Sequence, residues 1–193
     1  VDRIVGAMND MLEYDSGIRI AIEPKPNEPM DHAYIPTTGH AAALAARTVS
    51  PERVGVNIES AHAILAGLDP SDEMGFALSF DKLFTVHLND QNGLKFDQDR
   101  SFGSIDLRRA FNQVRILDRY DYGSRGEWVG LDVKAIRTQG DATATKHLSN
   151  SREFFLTLLE LSRGLDQNQV DELVAKRDYE ELERVVVSHL LAG

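Results

Sequence analysis

Four short runs of β-branched and other apolar residues, each set off from the next by helical or looped sequence, constrain this chain more than any other feature. They are Ile18 to Ile22, Val54 to Ile58, Leu83 to Leu88 and Trp128 to Asp132. Apolar residues recur at helical spacing around them. Ile4, Val5, Met8, Met11 and Leu12 precede the first run, and an alanine-rich stretch from His40 to Val49 precedes the second. Ala61 to Leu68 and Glu73 to Phe80 precede the third. Ser104 to Tyr120 precedes the fourth, with Leu107, Phe111, Val114 and Leu117 on one face. Strands that alternate with helices imply βαβ units and a parallel sheet, so the fold class is α/β. From Asn150 onward the pattern is helical throughout. We therefore read residues 1–145 as the strand-bearing part and residues 146–193 as a helical tail.

Composition narrows the chemistry. The chain has no cysteine, which excludes thiolate metal sites and disulfides and leaves carboxylates, imidazoles, carbonyls and water as ligands. Such donors suit hard or borderline cations such as Mg²⁺, Mn²⁺ and Co²⁺. A formal net charge of -10 argues against a nucleic-acid partner. No apolar run is long enough to span a membrane, and a cytoplasmic enzyme is the expectation.

Each run ends in, or carries near its end, a metal-ligand type: Glu23, Glu59, His87 and Asp132. A single acid after a strand is usually a helix cap. Four of them, one per strand, point to a shared site, because parallel strands open their C-terminal ends on one face. Glu59 and His62 lie three apart, which puts both on one face of a helix starting there. Asp97 and Asp99 lie two apart, and an extended segment would aim both at one cation. Lys25 follows Glu23 in a segment stiffened by Pro24, Pro26 and Pro29, where its ammonium can meet a substrate oxygen. The segments Pro24 to Thr38 and Asn89 to Gly103 both follow strands, and loops this long in a compact domain are usually functional.

Three blocks carry a resemblance to a known family: Ile22 to Pro29 (IEPKPNEP), Val54 to His62 (VGVNIESAH), and Lys95 to Asp99 (KFDQD) with Phe102 and Gly103 after it. In these the chain resembles the xylose isomerases, over roughly Val1 to Gln139. The resemblance implies the C-terminal half of a (β/α)8 TIM barrel and two divalent cations at its mouth. It assigns Glu23 and Asp132 to the first cation, Glu59 to both, and His62, Asp97 and Asp99 to the second. Lys25 falls on the lysine that contacts the sugar O1. At His87 the family carries Asp; a His there is more like the L-rhamnose isomerase branch, still able to ligate Mn²⁺ or Co²⁺ but less negative. The implied activity is aldose–ketose isomerisation by a metal-assisted hydride shift, with Lys25, Glu59 and His62 as its catalytic residues and no organic cofactor.

A closed barrel takes about 250 residues, and four strands leave two open edges. The expectation is a fragment that binds metal but does not turn over a cyclic sugar alone, completed by a missing N-terminal half-barrel. The family's tail implies a homo-oligomer. The sugar is xylose first, with L-rhamnose or another sugar next. Two other readings compete: a sugar epimerase or endonuclease-like member of the same superfamily, and a non-enzymatic half-barrel assembly module whose tail grips a partner.

Overall fold

The computed structural model describes residues 1–192. Its four strands are β1 (Ile20–Ile22), β2 (Val54–Glu59), β3 (Leu83–Leu88) and β4 (Trp128–Leu131). They form one sheet in the order β1-β2-β3-β4, parallel at each pairing. The helices are α1 (Asp2–Tyr14), α2 (Thr38–Ala45), α3 (Ser60–Leu65), α4 (Pro70–Leu78), α5 (Leu107–Arg119), α6 (Lys146–Gly164), α7 (Gln167–Lys176) and α8 (Tyr179–Ala192). The α/β reading and the four strands hold.

Strand β2 is buried along its whole length, as a central strand of a parallel sheet should be. Val54, Val56 and Ile58 face the helices and join the core with Met74, Val86, Leu88, Phe111 and Val114. The alternate positions Asn57 and Glu59 face the other side. One extra residue in β3, opposite the Val56/Asn57 step, breaks the pairing. The bulge sets Leu83 against Val56, and Thr85 and His87 against Asn57 and Glu59. His87 therefore joins the polar face. Gly55 is required beside it, because a Cβ there would lie 2.5 Å from the Lys82 carbonyl oxygen.

Helix ends depart from apolar periodicity where capping chemistry takes over. Asp106 accepts from the Arg109 amide at 2.9 Å, so α5 starts at Leu107 rather than Ser104. Asp69 caps Ser71 and Pro70 occupies the first turn, which starts α4 ahead of the expected Glu73. Helix α2 stops at Ala45, short of Val49; the Thr48 hydroxyl donates to the Ala45 carbonyl and Pro51 follows. In the tail, Leu158, Leu165, Val170 and Val186 are buried in the same core as the sheet.

Candidate metal centre

The C-terminal ends of the strands gather the polar side chains. Glu59 ends β2 and pairs across the sheet with His87. It is only 2% exposed. Helix α3 starts at the next residue, and its first turn swings His62 back over Glu59, 3.3 Å from Nε2 to carboxylate. The same nitrogen lies 3.2 Å from Asp97. Glu59, His62 and Asp97 thus form one group with ligand atoms within 4.8 Å of each other, and Glu23, Glu59 and His87 form a second. Glu59 belongs to both groups.

Lys25 reaches Asp97 from the loop after β1, and Glu28 of that loop accepts from the Asp97 amide at 3.0 Å. The two long loops are therefore stitched together above the strand ends. Asp97 and Asp99 do not sit on an extended segment. Phe96 and Asp99 adopt φ values of 60° and 44°, so a turning backbone, not an extended one with β alternation, carries the two carboxyl groups. Asp99 and Asp132 stand at the rim, outside both tight groups. Asp99 is held by Lys134 and by Asn89 at 3.3 Å; Asp132 lies 3.9 Å from His87 Nδ1.

The electrostatics are those of a crowded anionic site. Burial pushes the Glu59 carboxyl up to about 9; the Asn89 hydrogen bond opposes this, and the charges of Asp97, Glu23 and Asp132 reinforce it. Burial also pushes Asp97 upward, but His62 and Lys25 overcome it and hold the group well below the usual range. Hydrogen bonding to His87 holds Glu23 low and, reciprocally, raises His87. Burial raises Asp99 against the pull of Lys134. His62 Nδ1 and Asp97 Oδ1 are buried without a hydrogen-bond partner. Buried, unpartnered ligand atoms among excess carboxylates are what a divalent cation would satisfy, so the donor set fits oxygen- and nitrogen-bound cations.

Three supporting residues escaped the sequence reading. Asn57 donates to Glu23 and lies 3.0 Å from His87 Nδ1. Asn89 donates to Glu59 at 2.8 Å and accepts from the Ala61 amide at 2.7 Å. Lys134 pairs with Asp99 and donates to the Asp97 carbonyl at 3.2 Å. Asn57 lies two residues before Glu59 on β2, so the period-two rule would have found it, whereas Asn89 and Lys134 lie past the strand ends, where that rule no longer applies.

Fold and site together define part of a parallel β/α barrel with a potential cation cluster at the strand C-termini. The family model described as "xylose isomerase-like TIM barrel" matches residues 1–145. The chain belongs to that family and carries about half of its barrel. It is 36% identical over 198 residues to a xylose isomerase of Streptomyces lividans, a match covering 100% of this chain and 49% of the relative. The chain thus spans about half the length of that curated relative. Among solved structures it is similar to a D-tagatose 3-epimerase-like protein, at a TM-score of 0.62 and 20% identity over 82% of this chain and 55% of the other. A xylose isomerase domain protein of Alicyclobacillus acidocaldarius subsp. acidocaldarius gives 0.55 and 19%, over 80% and 55%. The IOLI protein, solved with a zinc atom, gives 0.52 and 16%, over 78% and 51%. These three likenesses speak to the fold alone.

Proposed function

We propose that this chain carries the two-cation site of an aldose–ketose isomerase, with D-xylose the first sugar to test. The observation that carries the reading is Glu59: one buried carboxylate common to two separate ligand groups. Glu23, Glu59, His87 and Asp132 would hold one cation, and Glu59, His62, Asp97 and Asp99 the other. When bound, Mg²⁺, Mn²⁺ or Co²⁺ would polarise the sugar oxygens and lower the pKa of a coordinated water. The chain's own residues then orient and donate. Lys25, part-buried and paired with Asp97, would turn its ammonium to the developing charge on the sugar O1. Asn57 and Asn89 fix the carboxylates of Glu23 and Glu59. Lys134 fixes Asp99. The rest of the barrel and a homo-oligomeric assembly complete the sugar pocket in this reading.

A second reading, a sugar epimerase, is favoured by one observation. Glu23 and Glu59 meet in one ligand group from neighbouring strands, where two carboxyl groups would share the roles of base and acid. Turnover in D₂O separates the two. Transfer of a hydride from C2 to C1 leaves the product with little solvent deuterium. Epimerisation through proton abstraction fills the reacting carbon with deuterium, and a deuterium-labelled epimer as the product would overturn the isomerase reading.

A further inference from the structure

Outside the carboxylate cluster, a pocket of about 390 Å³ opens between the loops that follow β3 and β4 and the start of α6. Its volume falls in the range of about 300–1,000 Å³ common for small-ligand sites. The chain has 31 acidic against 21 basic residues, yet no Asp or Glu lines this pocket. Arg100, Lys134, Lys146 and His147 do, with the hydroxyls of Ser101 and Ser104 between them.

The cations are largely uncommitted. Lys134 is paired with Asp99, but among the described residues Arg100 and Lys146 make no ion pair. His147 Nδ1 is buried and has no hydrogen-bond partner. Side chains that carry positive charge and hold no partner are free to bind an anion.

The first turn of α6 reinforces the same sign. It has no acidic residue and no side-chain cap, and it carries Lys146 and His147 instead. Cations at a helix N-terminus oppose the macrodipole, whereas an anion there meets both the side chains and the free amides.

We infer that this pocket binds a phosphate group, held by Arg100, Lys146 and His147 with Ser101 and Ser104 as further donors. The group is either free inorganic phosphate or the phosphate of a sugar phosphate whose sugar reaches toward Lys134 and Asp99. The inference does not depend on the isomerase reading, because it can be tested without metal or turnover.

The test is calorimetric titration of inorganic phosphate into the full-length protein treated with EDTA. The wild type should bind, and R100Q/K146Q should bind at least about tenfold more weakly, because two charge-assisted hydrogen bonds are lost. The R100K/K146R variant should retain binding, and all forms should melt at the same temperature without phosphate. A second titration with xylose 5-phosphate assigns the source. Tighter binding than inorganic phosphate points to a phosphorylated substrate, and equal binding to a free-phosphate effector. No binding at millimolar phosphate, unchanged binding by R100Q/K146Q, or binding only after metal is restored would each overturn the inference.

Discussion

Replacing Glu59 with Gln should make the metal-free protein more stable while removing its response to metal. The side chain is 2% exposed and its carboxyl is raised from 4.5 to about 9, so the folded state holds a proton that the unfolded chain has lost by pH 7. The gap from 4.5 to 7 is two and a half units, which at about 1.36 kcal/mol each costs the fold on the order of 3 kcal/mol at neutral pH. Because the folded pKa is the raised one, full stability is present below 4.5 and is lost as pH rises toward about 9. Gln removes the charge but keeps an oxygen for Asn89 to donate to. Urea unfolding of the full-length protein in EDTA should therefore show E59Q more stable than wild type at pH 7, by a margin approaching that figure. The margin should widen at pH 8.5 and close near pH 4.5. Added Mn²⁺ should stabilise the wild type by several kcal/mol at saturating concentration and leave E59Q unmoved. If E59Q were less stable at pH 7, or its margin did not change with pH, the picture of a strained, cation-seeking carboxylate would be wrong.

Other substitutions probe the groups around it. G130A would put a Cβ 2.9 Å from His87 Cδ2, displacing the ring; first-cation affinity should fall about 10- to 100-fold by titration, with the melting temperature nearly unchanged. H87D exchanges a nitrogen donor for a third negative oxygen beside Glu23 and Glu59. It should raise Mg²⁺ affinity relative to Co²⁺ by about tenfold, read by competition titration. K25Q should lower kcat by about 10²- to 10³-fold in steady-state assays on xylose while leaving Mn²⁺ affinity within a few-fold of wild type.

How much was legible beforehand follows from which forces are local. Strand and helix alternation is written in side-chain periodicity, so β1 to β4 were readable, Leu83–Leu88 to the residue. Helix ends were not, because capping by Asp106 and Asp69 overrides apolar spacing. Glu59 and His62 could be placed together because one helical turn fixes their relation. Asp97 reaches the cluster from a loop with φ of 60° at Phe96, which cannot be read as an extended segment, and Asp99 stays outside both ligand groups. The burial of Glu59 depends on β2 lying between two neighbours, a fact of topology that no local pattern contains. The basic pocket joins Arg100 to Lys146, 46 positions apart, and is invisible until the tail is folded onto the sheet.

Anomalous diffraction from Mn²⁺-soaked crystals of the full-length protein bears most directly on the shared carboxylate. The account predicts two manganese peaks at the strand ends, each within bonding distance of a different Glu59 oxygen, one beside His87 and the other beside His62. A single peak, or a pair that leaves Glu59 uncoordinated, would contradict it.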